Sequence, residues 1–123
     1  MTSPTEAGLR GRMGVALTAA MKGRDRVAVA ALRSALARIS NAEAVPLDTM
    51  PPAGAVEQAR LGAGAADAPR RELTEADVRL IVGAEVAEHD RAATHLRDAG
   101  RPDEAERVAA QATVLRELLA STW

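Results

Sequence analysis

The chain contains no cysteine, no phenylalanine and no tyrosine, and Trp123 is its one aromatic residue among 123. Without thiols there is neither a disulfide framework nor a thiolate nucleophile or ligand, and a reducing, cytoplasmic setting is the expectation. Without aromatics any core must be packed from alanine, leucine and valine, whose small volumes let helices approach closely. Runs of alternating β-branched residues are missing as well, which argues against a sheet. No stretch of about 18 or more apolar residues is present to cross a membrane. The start of the chain, Met1 to Gly8, lacks the positively flanked apolar run of a secretory signal and reads as a frayed terminus.

What remains is a helical pattern long enough for one domain. Thr74 followed by Asp77 forms a Thr-x-x-Asp capping box. Behind it Val78, Ile81, Val82, Val86, Ala93 and Leu96 recur at three- and four-residue steps, one stripe of a helix ending near Ala99. Gly100 suits a left-handed helix stop, and Pro102 suits the first position of the next helix, whose stripe is Ala105, Val108, Ala112, Leu115 and Leu119. So short a turn folds the two helices back on each other. A first hairpin precedes this one. Leu9, Met13, Ala16, Leu17, Ala20 and Met21 form one stripe, and Val29, Leu32, Ala35, Leu36 and Ile39 form another that runs to about Ala44. Gly23 is the expected stop between them, and Asp25 the new cap. Residues 45–71, with Pro46, Pro51, Pro52, Pro69, Gly54, Gly62 and Gly64, break every helical pattern and read as a mobile linker. The fold expected is therefore a single all-α domain over 1–123: two helical hairpins, four main helices packed as a small bundle, with a Pro/Gly-rich linker between them.

Charge is unevenly placed. Residues 1–38 carry seven basic side chains against Glu6 and Asp25, a balance of +5, and the remainder carries −6. Either the basic helices neutralise acidic neighbours, or they expose a surface for a polyanion. Lys22, Arg24, Arg26 and Arg33 span the first turn and are the nucleic-acid-binding candidates, although the aromatic side chains on which single strands stack are missing. Arg33 has a competing role as an internal partner of Glu43 or of an acid on the third helix. Leu115, Leu118, Leu119 and Trp123 form an apolar C-terminal end, which either seeks a protein partner or a second copy, or folds back as Trp123 caps the core.

Catalytic patterns are sparse. Glu85, Glu88, His89, Asp90 and His95 cluster in sequence, but Glu85 with His89 and Glu88 with His95 point along different faces, and no Glu-x-x-His string occurs. No metal and no cofactor are expected from them. Gly62-Ala63-Gly64 lacks the lysine of a phosphate-binding loop. Ser34 and Ser40 have no nearby histidine in sequence.

Three strings in order resemble the YqeY family, also called GatB/YqeY-like proteins. The first is Ala20-Met21-Lys22-Gly23-Arg24-Asp25 with Ala31-Leu32-Arg33 and Asn41-Ala42-Glu43. The second is Glu72-Leu73-Thr74-Glu75-Ala76-Asp77. The third is Ala99-Gly100-Arg101-Pro102-Asp103 with the helix to Leu115-Arg116-Glu117-Leu118-Leu119. The resemblance covers the family's N-terminal helical domain. Ala120 stands where relatives carry a boundary proline, Val108 and Gln111 where they often carry glutamate, and the tail domain that resembles the tRNA-meeting part of amidotransferase B is expected to be missing. The resemblance implies a helical interaction module linked to tRNA or translation-related metabolism. Its further implications are an RNA-associated accessory role and, by family label, amide transfer from glutamine.

Overall fold

Capping chemistry sets the helix borders in the computed structural model, which describes residues 8–44 and 72–121. Thr74 Oγ1 accepts the Asp77 amide hydrogen at 3.0 Å while the Asp77 carboxylate accepts that of Thr74, also at 3.0 Å, a closed capping box. It opens the longest helix, Glu75–Asp98. Pro102 opens the last, Pro102–Ala120, and the first hairpin consists of Leu9–Gly23 and Arg26–Ala44. In chain order these are α1 (Leu9–Gly23), α2 (Arg26–Ala44), α3 (Glu75–Asp98) and α4 (Pro102–Ala120). The all-α expectation holds: two hairpins pack as a small bundle, and every helix touches the other three. Residues 45–71, the expected linker, lie outside the described residues. Among the described residues no helix is long and apolar enough to cross a membrane.

Small side chains carry the packing, as the lack of aromatics requires. Ala28, Ala31, Ala35 and Ala112 are buried beside Leu9, Met13, Leu32, Ile39, Val82 and Leu115, which are fully enclosed. Leu73, Ile81, Leu36 and Leu119 pack partly buried around them. Met21 departs from its stripe. It leaves half of its surface in solvent at the end of α1.

The two hairpins turn by the same backbone device. At the second, Arg101 N–H reaches the Leu96 carbonyl at 2.8 Å and Gly100 N–H the Arg97 carbonyl at 3.0 Å, with Gly100 at φ +77°. At the first, Asp25 N–H reaches the Ala20 carbonyl at 2.9 Å and Arg24 N–H the Met21 carbonyl at 3.3 Å. This is the Schellman pairing in both cases, and it demands a left-handed residue just past the helix. The first turn gives that position to Arg24, at φ 58°, and not to Gly23, which remains helical. The helix thus ends at Gly23 as expected, but the left-handed position falls one residue later, because the pairing counts from Ala20.

The start of α1 is closed from another element. Gly8 supplies no side chain, and the Glu75 carboxylate accepts the Leu9 amide hydrogen at 3.1 Å, joining the starts of α1 and α3.

An L-residue in left-handed backbone costs roughly 1 kcal/mol that glycine does not. Arg24→Gly should therefore raise, and Gly100→Ala lower, the unfolding free energy by about 1 kcal/mol each. Urea midpoints at unchanged slope will show both; a destabilised Arg24→Gly would contradict the turn geometry.

Candidate functional site

Of the seven basic side chains in residues 1–38, three bind groups on other elements of the bundle. Arg10 makes a two-pronged contact with Glu43, its second nitrogen at 2.8 Å, and so ties α1 to the end of α2. Arg12 donates to the Ser121 carbonyl at 3.3 Å, placing a cation at the C-terminal end of α4, where the helix dipole favours it. Arg38 donates to Glu85 at 2.9 Å and to Glu88 beside it. The other four, Lys22, Arg24, Arg26 and Arg33, are exposed and gather around the α1–α2 turn. Among the described residues none of the four meets a carboxylate within ion-pair distance. Asp25, the acid between them, spends one oxygen on the Ala28 amide as the cap of α2.

Arg33 is not the internal partner of Glu43 or of α3. Arg10 holds Glu43 and Arg38 holds Glu85 and Glu88, while among the described residues Arg33 reaches only the Met21 sulfur, at 4.0 Å. The reason is helical phase: five residues separate Arg33 from Arg38, well over one turn, and only Arg38 faces α3. The exposed side of the turn forms an open groove of about 480 Å³ lined by Met21, Arg24, Arg26, Val29, Ala30 and Arg33.

A second polar cluster lies between α2, α3 and α4. Glu85 is 4% exposed and is the one buried charged residue of the described core. Ser34 Oγ donates to one of its oxygens and Arg38 to the other. His89 Nδ1 donates to the Glu85 carbonyl at 2.9 Å and lies 3.7 Å from its carboxylate, and Nε2 faces Gln111 Oε1 at 2.9 Å. With Nδ1 carrying the proton, Nε2 donates to Gln111 as an imidazolium, or accepts from its amide after a half-turn of that side chain. Ser34 thus bonds a carboxylate rather than a histidine, and Arg38 holds the other oxygen of that carboxylate. No buried side-chain nitrogen or oxygen among the described residues lacks a partner.

Of the acids and histidines grouped in sequence, Glu85 and His89 stay together at 3.7 Å, and Glu88 and Asp90 pair with arginines. Arg38 takes Glu85 and Glu88, Gln111 takes His89, and Arg116 takes Asp90 at 2.7 Å. Among the described residues no three histidine, cysteine or acidic groups converge to hold a metal ion.

The apolar C-terminal end needs correction. Leu115 is fully buried in the core and cannot serve as a contact for a partner. Leu118 and Leu119 are partly buried against the core, and Trp123 lies outside the described residues. Leu118 does line an open groove between α1 and α4, beside Ala16, Ala20 and Val114.

No protein-family model matches the chain, nor does any curated protein or solved structure.

Breaking a buried ion pair by removing one partner costs about 3–5 kcal/mol, and water access on the Arg38 side reduces this to about 2 kcal/mol. Arg38→Ala should lose that much, whereas Arg33→Ala should stay within about 0.5 kcal/mol of wild type. Equal losses in denaturant unfolding would contradict the assignment of Arg38.

Arg38 also holds the Glu88 carboxyl below its ordinary value of 4.5, first by its hydrogen bond and then by its charge. Since the folded-state value is the lower one, ionised Glu88 contributes stability above the ordinary value, and that contribution is lost as pH falls through the depressed one. The stability difference between wild type and Arg38→Ala should therefore narrow on acidification below about pH 4.5. A gap that widens in acid would contradict this.

Proposed function

We propose that this chain is a non-catalytic interaction module that binds a protein partner through the exposed side of its first hairpin. The observation that carries the reading is the division of the basic residues. Arg10, Arg12 and Arg38 are engaged in holding the bundle, whereas Lys22, Arg24, Arg26 and Arg33 serve no internal contact with an acid among the described residues. Half-exposed Met21 at the same place supports it. So does the engagement of both Ser34 and His89 with Glu85, which Arg38 also holds. The order of the Met21-Lys22, Leu32-Arg33, Thr74-Asp77 and Gly100-Arg101 strings supports a YqeY-type origin and, with it, a place in tRNA or translation-related metabolism.

A second reading, an RNA-associated accessory factor, draws on the same four cations. If all four neutralise phosphates of a single strand, the logarithm of the binding constant should fall with that of salt at a slope near about −3.

Full-length protein, immobilised and exposed to cell extract with and without nuclease, separates the two. The proposed function predicts a protein captured equally in both, and no ammonia released from glutamine by the purified chain. Capture that vanishes with nuclease supports the RNA reading, and glutamine turnover contradicts a non-catalytic role.

A further inference from the structure

The chemistry of the α1–α2 groove specifies its occupant more closely than the word partner does. On α2 the residues Arg26, Val29, Ala30 and Arg33 stand at i, i+3, i+4 and i+7, one face of a helix. Two cations thus lie about 10.5 Å apart along the axis with a small apolar step between them. Met21, from the end of α1, widens the apolar floor, and Arg24 closes the rim at the turn. Arg33 passes close to the Met21 sulfur, so the charge borders the apolar surface directly.

Resting on the interaction-module reading, we propose that this groove receives an amphipathic acidic helix of a partner protein. Two carboxylates seven residues apart pair with Arg26 and Arg33, and the two apolar side chains between them seat on Met21, Val29 and Ala30. The pattern i, i+3, i+4, i+7 is the same read in either direction, so a parallel or antiparallel helix satisfies it. Arginine forks bind carboxylates by two parallel hydrogen bonds, which gives the pairing geometric as well as electrostatic selectivity. An RNA strand would satisfy the cations but leave the apolar floor against sugar and phosphate, with no aromatic ring in the groove for its bases to stack on.

Arg24 makes the idea testable without risk to the fold. It occupies left-handed backbone that glycine would adopt more easily, so the bundle would be steadier without it. Arg24→Gly should bind less well while unfolding later, and those opposite directions separate a binding residue from a structural one.

The experiment titrates isotope-labelled full-length protein with an end-blocked peptide of two Glu-Ala-Ala-Leu-Leu-Ala-Ala repeats closed by glutamate. A lysine-for-glutamate version and an oligouridine RNA serve as the other probes. Amide shifts should move around Met21, Arg26, Val29 and Arg33 with the glutamate peptide and not with the lysine one. The double variant Arg26→Ala, Arg33→Ala should bind at least about tenfold more weakly, and Arg24→Gly about threefold. The inference is overturned if the glutamate peptide moves none of these amides at about 1 mM. It is also overturned if the lysine peptide binds equally, or if RNA alone occupies the groove. Failure of the peptide beside nuclease-resistant capture of a protein removes the acidic helix and leaves the interaction module standing; capture that requires RNA removes both.

Discussion

The fork of Arg38 between Glu85 and Glu88 is the contact on which the bundle's arrangement most depends. An acid that is 4% exposed between apolar helices would cost several kcal/mol left alone, and it is tolerable only because α2 delivers Arg38 and Ser34 to its two oxygens. Those donors come from the first hairpin and the acid from the second. The pairing therefore fixes how one hairpin sits on the other, a choice that an alanine-rich seam leaves poorly determined by shape alone. His89 and Gln111 extend the same cluster to α4, so three helices share one polar register.

That arrangement decides which charges remain for outside use. A balance of +5 over residues 1–38 looks uniform in sequence, but the fold divides it sharply. Arg10, Arg12 and Arg38 reach across to acids or a helix end on other elements, and the four cations at the turn face solvent around half-exposed Met21. Strain coincides with this surface. Arg24 occupies the left-handed position that the second hairpin gives to Gly100, so the turn retains a cation at a conformational cost that a neighbouring glycine could have spared.

The helices and their borders were legible because their signals are local. The Thr74–Asp77 box, Gly100 with Pro102, and the three- and four-residue apolar steps each lie within one or two turns of chain. The first helix ends at Gly23 as expected, but the left-handed residue that closes it is Arg24, since the presence of Gly23 says nothing about which carbonyl the following amides will reach. Partners across helices were not legible. Arg38 and Glu85 are 47 residues apart, Ser34 and Glu85 51, and periodicity contains no term for the rotation of one helix against another. The same missing information left open whether Leu115 meets a partner or the core, and whether Arg33 is exposed or held in an ion pair. One signal was available for Glu85: it continues the buried steps of Val78 and Val82 toward Val86, and a charge in an apolar stripe calls for donors opposite it.

The division of arginines into inward and outward sets is the central claim, and side-chain guanidinium NMR tests it most directly. Arg10 and Arg38, locked in hydrogen bonds, should give resolved, slowly exchanging N–H signals, while Arg24, Arg26 and Arg33 should give averaged signals that exchange rapidly with water. Slow exchange at Arg26 or Arg33 equal to that at Arg38 would show those cations held within the bundle and would contradict the account.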